Sequence, residues 1–319
     1  MFCSNSPDLG IPGFSALPLN KFFFNALMKK DIRSLLKPES TFIEDADYYE
    51  FPVSRLSESY KANSYYFNQK EWAAEYLRYC HREETFKDRW LTAGGDWAHK
   101  TVIDIGCGPG NIFANFIEKP GMLIGVDIAP GSLVSAGEHG YTPVLADAHD
   151  LPFKSEIADL VTLNAALHHC EDMQAVLIES ARLVKPGGLL ITDHDPQLSA
   201  WNYKGLAKLL WYSRLLYYRL IGRGFHKSED QQFWGLACET HHKPGDGVSE
   251  NLFQNVLKPL GFTVKVFPHN HDLGAEIFMG QLGKASFKYR LGNLLSGRNP
   301  DVAESALTLM CVARKKLAN

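Results

Sequence analysis

The stretch Thr101-Val-Ile-Asp-Ile-Gly-Cys-Gly-Pro-Gly110 decides the fold that we expect for this chain. Its first half carries the β-branched run that is typical of a strand covered on both faces: Val102, Ile103 and Ile105. The glycines of its second half allow the backbone to turn tightly and to approach a ligand closely. We expect a helix from Ile112 to Glu118, whose free N–H groups would point toward that ligand.

Two kinds of ligand suit a glycine-rich turn of this form. A dinucleotide-binding loop has the pattern G-x-G-x-x-G, but its third glycine would fall at Asn111. The pattern present is D-x-G-x-G-x-G, which begins with Asp104 in the strand. A carboxylate there would repel a pyrophosphate and attract an ammonium group. The loop therefore favours a cationic ligand over a dinucleotide, and a purely structural turn is the alternative.

Strands and helices alternate from residue 101 onward. Further strands are predicted at 122–127, 143–146, 159–164, 189–192, 262–267 and 306–313. Helices are predicted at 130–139, 172–183 and 249–259, and irregular segments at 233–247 and 268–300. This alternation predicts a parallel sheet that is covered by helices on both faces.

Two segments interrupt or precede this alternation. Residues 1–98 are predicted to be an N-terminal helical extension, which could act as a lid. Residues 99–319 are predicted to be the ligand-binding domain, with an inserted cover at about 197–245. Within the cover, the helix predicted at 205–221 is rich in Leu, Tyr and Trp. Its apolar face could pack on its own domain or meet lipid.

Composition and charge narrow the class of protein. The chain has 319 residues, of which 45% are apolar, as in ordinary globular proteins. Its net charge of −3 argues against a nucleic-acid partner. The six cysteines form no C-x-x-C pair, which favours a reducing compartment over a disulfide or zinc framework. Since neither a secretory signal nor a run of 18 apolar residues is apparent, we expect a cytoplasmic protein.

Several motifs occur in the order found in class I S-adenosylmethionine-dependent methyltransferases. The D-x-G-x-G-x-G loop closely resembles motif I of that superfamily. Asp127, 17 residues beyond the last glycine of the loop, matches the acid at the end of its second strand, and Ile128 the apolar residue after it. Leu145–Phe153 and Leu183–Ile191 resemble the next two landmarks. The chain is similar to small-molecule members with methyltransferase domains 11 and 25, chiefly over Thr101–Asp195.

This resemblance implies a fold, a cofactor and a set of cofactor ligands. The fold would be a Rossmann-like, doubly wound α/β sheet of seven strands with the last strand antiparallel. The cofactor would be S-adenosyl-L-methionine, and the product S-adenosyl-L-homocysteine. Asp127 would accept both ribose hydroxyls, Asp147 the adenine amino group, and the N–H of Ala148 would donate to the ring. The other implied cofactor-binding residues are Asp104, Gly106, Cys107, Gly108, Gly110, Ile128 and Asn164.

Candidate catalytic groups follow the fourth and fifth strands. Leu167-His168-His169 resembles a turn that is frequent in the family, and Asp193-His194-Asp195 lies at the ligand-binding edge of the sheet. Our catalytic candidates are His168, Asp193 and His194, with structural turns as the alternative. His269 and His271 could approach the same edge. We expect no metal at the paired histidines, because no further ligand lies nearby in the sequence.

The sequence therefore predicts a methyltransferase that acts on a small or medium organic acceptor by in-line displacement at oxygen, nitrogen or carbon. The basic segment 284–298 would suit an RNA or protein methyltransferase, although the acidic net charge opposes this alternative. A non-catalytic protein that binds S-adenosylmethionine is a second alternative. A lipid or quinone methyltransferase at a membrane surface is a third, suggested by residues 205–221. We expect a monomer or a homodimer.

Overall fold

The structure is a computed structural model that describes residues 29–53, 56–69, 77, 83–114, 116, 118–221 and 228–317. Its strands are β1 (Ile43–Glu44), β2 (Tyr49–Glu50), β3 (Thr101–Ile105), β4 (Met122–Asp127), β5 (Thr142–Leu145), β6 (Ala158–Asn164), β7 (Val184–Asp193), β8 (Phe262–His269) and β9 (Thr308–Lys315). Its α-helices are α1 (Glu58–Phe67), α2 (Glu84–Gly94), α3 (Pro130–Glu138), α4 (Met173–Leu183), α5 (Leu198–Trp201), α6 (Gly205–Ile221), α7 (Glu229–Cys238), α8 (Glu250–Leu257) and α9 (Phe287–Leu295).

These strands form one sheet in the order β1-β2-β5-β4-β3-β6-β7-β9-β8. From β2 to β7 the neighbours pair in parallel. The last strand, β9, runs antiparallel to both of its neighbours. The predicted α/β sheet with an antiparallel last strand is therefore confirmed.

The number of strands differs from the prediction, because the sheet has nine strands where we expected seven. The two additional strands, β1 and β2, are only two residues long and come from the N-terminal extension. A two-residue strand is too short to show an alternating apolar pattern. The sequence therefore gave no signal for this edge of the sheet.

The core lies on both faces of the sheet, as the β-branched strands require. Consecutive residues of a strand point to opposite faces. Accordingly, Val102 packs in one buried cluster with Leu133 of α3, while Ile103 packs in another with Val176 of α4. Helix α4 begins where Asp172 accepts the backbone N–H groups of Gln174 and Ala175.

Three predicted elements need correction. Instead of a helix after the glycine loop, the described residues from Gly108 to Ala114 form turns, and the N–H of Phe113 donates to the Tyr141 hydroxyl (3.2 Å). The segments predicted to be irregular contain part of α7 and all of α9. Both helices are short and carry an internal glycine, Gly235 in α7 and Gly292 in α9, which weakens the helical signal of their sequences.

The extension and the cover pack against each other. Helix α1 lies against α7, where the rings of Tyr65 and Trp234 are 4.6 Å apart and the Ser59 and Thr240 hydroxyls are 3.0 Å apart. Helix α6 has a single fully buried residue, Ala207. Among the helices that the structure describes, none has the length and apolar character needed to cross a membrane.

Candidate active site

A cavity of about 410 Å³ opens at the carboxyl ends of the parallel strands. The residues that follow β3, β4, β5 and β6 form its floor, which is the edge where open α/β sheets bind ligands. Helix α1 forms the opposite wall with Ser59, Tyr60, Asn63 and Phe67. Part of the N-terminal extension thus covers the site, whereas no described residue of 201–245 lines the cavity.

The structure brings together six of the predicted cofactor residues in this cavity: Gly106, Gly108, Asp127, Ile128, Asp147 and Ala148. The backbone φ angle is +67° at Gly106 and +53° at Gly108, a region that side chains disfavour. A Cβ atom at Gly106 would lie 2.6 Å from the Cβ of Ala166. The loop therefore forms a cradle that only glycine leaves open, as close approach of a ligand requires.

Backbone donors hold the carboxylate of Asp127 at the floor of the cavity. Its Oδ2 accepts the N–H of Gly108 (2.8 Å) and its Oδ1 accepts the N–H of Ala129 (2.9 Å). Burial raises the pKa of Asp127, and these backbone N–H groups act in the opposite direction. Because a carboxylate has about four lone-pair sites, both oxygens retain acceptor capacity for a ligand.

Asp147 and His149 form a second acidic corner of the cavity. Asp147 Oδ1 accepts both the backbone N–H of His149 (2.9 Å) and its ring Nδ1–H (2.7 Å). The hydrogen bond to Asp147 raises the pKa of His149. The N–H of Asp172 donates to Nε2 of the same ring (3.3 Å). The loop after β5 is thereby joined to the start of α4.

The structure places Asp104 outside the cavity, which corrects our expectation that it faces the ligand. Its carboxylate is buried beneath the glycine loop, where it accepts the hydroxyls of Tyr141 and Thr162, each at 2.8 Å. Burial raises the pKa of Asp104 to about 7. Its two hydrogen bonds join β3 to β6 and to Tyr141, the residue before β5.

Three further cofactor candidates also lie outside the cavity. Cys107 is buried against Gly125, and burial raises the pKa of its thiol. A Cβ at Gly110 would lie 3.1 Å from the ring of Tyr141. Both amide atoms of the Asn164 side chain are buried, and neither has a hydrogen-bond partner in the part of the chain that the structure describes.

Two of the predicted catalytic residues belong to a sealed group that we call the Asp193 cluster: Arg89, Asp193, His194 and His269. Arg89 Nε donates to Asp193 Oδ2 (2.9 Å), and His269 Nε2 donates to Asp193 Oδ1 (2.7 Å). Although burial opposes ionisation, His269 and Arg89 hold the pKa of Asp193 well below its usual range. Neither Asp193 nor His194 lines the cavity. This arrangement favours a structural role in joining α2 and β8 to the end of β7.

The third candidate, His168, is buried beside the cavity in the His168 cluster: His168, His169, Asp195 and Glu239. His168 Nδ1 donates to Asp195 Oδ1 (2.7 Å), and its Nε2 is 3.5 Å from Glu239 Oε2. His169 borders the cavity and donates from Nδ1 to the carbonyl of Cys238 (2.8 Å). Glu239 could not be recognised from the sequence, because it lies in the inserted cover, 71 residues beyond His168.

Helix α1 also fixes the position of this turn, a role that we did not predict for it. The Ser59 hydroxyl (3.0 Å) and the Asn63 side-chain amide (3.2 Å) both donate to the carbonyl of His169. The sequence indicates a helix in the extension, but no motif marks Ser59 and Asn63 as residues that contact the turn.

Comparison with known proteins now identifies the family. A methyltransferase domain model matches residues 103–192. The demethylmenaquinone methyltransferase of Bacillus licheniformis is 30% identical over 166 residues, which is 48% of this chain and 68% of that protein. The chain belongs to the class I S-adenosylmethionine-dependent methyltransferases. S-adenosylmethionine is the cofactor of this family.

A second relative of this methyltransferase aligns over a smaller part of the chain. The malonyl-[acyl-carrier protein] O-methyltransferase of Salmonella typhimurium is 30% identical over 122 residues, 37% of this chain. The chain matches 48% of that relative, or about half of its length.

Two solved structures show the same fold. A phosphoethanolamine N-methyltransferase of Haemonchus contortus, in complex with S-adenosylhomocysteine, has a TM-score of 0.51 and 16% identity over 84% of this chain and 62% of its own. The [4+2]-cyclase SpnF has a TM-score of 0.50 and 14% identity over 84% of this chain and 98% of its own. At this identity the likeness concerns the fold alone.

Proposed function

We propose that this methyltransferase transfers a methyl group from S-adenosylmethionine to a small or medium organic acceptor. The observation that carries the proposal is the convergence of the glycine cradle, Asp127 and Asp147 on one cavity. The volume of about 410 Å³ lies within the range of small-molecule sites. Acids at the cavity floor suit a cationic nucleoside better than a pyrophosphate.

The roles of the lining residues follow from their positions and from the resemblance to the family. Asp127, already oriented by two backbone N–H groups, would accept the ribose hydroxyls. Asp147 would accept the adenine amino group, and the N–H of Ala148 would donate to the ring. Ile128 would pack against the adenine. Gly106 and Gly108 would allow the backbone to contact the ligand closely.

Bound S-adenosylmethionine supplies a sulfonium methyl group that is already reactive, so the chain has to orient the acceptor and exclude water. Tyr60 and Phe67 of α1 lie over the cavity and contribute apolar area to its cover. None of the three predicted catalytic residues lines the cavity. In the proposed reaction the protein therefore acts by orienting the acceptor and excluding water, without a general base.

The test is a reaction with isotopically labelled S-adenosylmethionine and a cell extract, read by mass spectrometry for the molecule that gains the label. Asp127→Ala should abolish most labelling. Asp301→Ala is the matched control, because that acid lies outside the cavity lining and pairs with Arg290. No labelled product above the level of a protein-free reaction would contradict the proposal.

A membrane-surface acceptor is a second candidate, favoured by the outer face of α6. Its leucines point to solvent: Leu209, Leu216 and Leu220 are 64%, 62% and 77% exposed. At 100° per residue they share the side opposite Ala207, and Lys208 and Arg219 lie along one edge. Exposed apolar residues with basic neighbours suit a lipid surface. Relatives named for demethylmenaquinone support an acceptor of the quinone class.

Sedimentation with vesicles that contain anionic lipid tests this second candidate. The wild-type chain should co-sediment, and Leu209→Gln combined with Leu216→Gln should reduce the bound fraction. Leu317→Gln is the control, because it removes an exposed leucine of the C-terminal strand region. A wild-type chain that stays in the supernatant at low salt would overturn the membrane candidate and leave the freely diffusing acceptor.

A further inference from the structure

The His168 cluster has the geometry of a metal site that the sequence did not show. One nitrogen of His168, one of His169 and one carboxylate oxygen of Glu239 lie within 4.8 Å of one another. Ligand atoms of a tetrahedral zinc ion are roughly 3.4 Å apart. The 3.5 Å between His168 Nε2 and Glu239 Oε2 already meets this spacing. Small side-chain rotations would bring in the third ligand.

Each of the three groups already has the outer partner that metal ligands have in proteins. His168 donates from Nδ1 to Asp195, and His169 donates from Nδ1 to the Cys238 carbonyl. Glu239 Oε2 accepts from Nδ1 of His242 (2.7 Å). Partners of this kind fix the ring tautomer, so that the lone pair is on Nε2 and available to an ion.

The centre of the cluster holds a nitrogen and an oxygen atom that a cation could join. Nε2 of His168, the ring nitrogen that does not bond to Asp195, faces the Glu239 carboxylate at 3.5 Å. A cation bound between the two atoms would interact favourably with both. In addition, Asp195 Oδ2 and His242 Nε2 are buried without a hydrogen-bond partner among the described residues.

We propose that His168, His169 and Glu239 bind one divalent transition-metal ion through Nε2, Nε2 and a carboxylate oxygen. Two imidazoles and a carboxylate suit Zn²⁺ and related ions better than Mg²⁺ or Ca²⁺. The third ligand comes from the inserted cover, 71 residues beyond His168 in the chain. Since His169 also borders the cavity, the ion stands in the cavity wall, and three protein ligands leave a coordination position open.

The experiment uses untagged, chelator-treated full-length chain and Zn²⁺ as the probe, with Co²⁺ absorption as a second readout. We expect one equivalent of Zn²⁺ per chain by titration and elemental analysis. Glu239→Gln should weaken Zn²⁺ binding at least tenfold, and Asp195→Asn about 10–100-fold, the usual effect of losing an outer partner. His241→Gln is the matched control, because that histidine pairs with Asp246 in the same loop, outside the cluster.

Two results would overturn the metal site. The first is wild-type chain that shows neither saturable Zn²⁺ binding nor a Co²⁺ ligand-field spectrum, an outcome that needs no variant to fold. The second is a folded Glu239→Gln chain with unchanged Zn²⁺ affinity, or a loss in His241→Gln as large as that in Glu239→Gln. Titration of the same samples with S-adenosylmethionine keeps the two proposals separate, because Glu239 does not line the cofactor cavity.

Discussion

Two histidine–carboxylate clusters lie near the same edge of the sheet, but only one of them has a histidine at the wall of the cavity. In the Asp193 cluster the carboxylate pairs with both Arg89 and His269, and all three side chains are fully buried. In the His168 cluster one histidine borders the cavity, and the ring of the other faces the partly exposed Glu239.

The difference shows that an aspartate beside a histidine does not by itself mark a reactive site. A carboxylate whose two oxygens accept from buried donors on different elements joins those elements. A histidine that is fixed at Nδ1 and open at Nε2 can bind a ligand. The two clusters differ in whether every polar atom of the carboxylate is already hydrogen-bonded and in whether a histidine reaches the cavity. Neither property can be recognised in a short sequence motif.

Breaking the Asp193 cluster should have the largest effect on stability. Arg89→Met leaves the buried carboxylate without its guanidinium partner and should lower the free energy of unfolding by about 3–5 kcal/mol. Urea unfolding followed by circular dichroism measures this. Lys87→Met, on the same helix at a more exposed pair with Glu84, should change it by less than about 1 kcal/mol. Equal losses would show that Asp193 is not a structural anchor.

Asp104 is a third buried carboxyl group to compare with Asp193. It is as buried as Asp193, but the two groups that donate to it are hydroxyls and not a guanidinium. Its folded-state pKa of about 7 lies above the ordinary 3.8, so the folded chain holds this proton more tightly than the unfolded chain. The associated stability is fully present below about pH 4 and falls as the pH rises to about 7. That pKa difference corresponds to about 4 kcal/mol at most.

Unfolding of Asp104→Asn at about pH 5 and about pH 8 tests this prediction. The variant should lose less stability between the two pH values than the wild type does. Parallel curves for the two proteins would mean that Asp104 is ionised in the folded state throughout this range.

The smallest effect is expected where α1 meets the His168 cluster. Ser59→Ala removes a hydroxyl that donates to the His169 carbonyl and should lower stability by about 1 kcal/mol. Ser64→Ala on the same helix is the control. Thermal unfolding of both variants gives the comparison, and a loss near that of Arg89→Met would contradict the proposed difference between the clusters.

The sheet and the floor of the cavity could be predicted because their signals are local. The β-branched run of β3 and the glycines after it fix a strand and a turn, and Asp127 follows at the end of the next strand. Asp104 was misassigned because alternation along a strand does not tell which buried side chain reaches the ligand.

The partners of the polar clusters could not be predicted, because they come from distant elements. Arg89 lies in the extension and Glu239 in the cover, and no periodicity links either of them to the end of β7. Asp193 and Asp195 are also separated by one residue only, which wrongly suggested that both acids belong to one site. At His194 the backbone φ angle is +65°, which turns the chain so that the two acids join different clusters.

Isothermal titration with S-adenosylmethionine tests the central claim, that the cavity above β3–β6 is the cofactor site. Wild-type chain should bind one equivalent. Asp127→Ala should bind more weakly by about 1.5–3 kcal/mol, as expected for lost charge-assisted hydrogen bonds. Gly108→Val should stay folded and show no binding, because φ is +53° there and a side chain would meet Asn111. Unchanged affinity in both folded variants, or Asp127-dependent binding of NAD, would contradict the account.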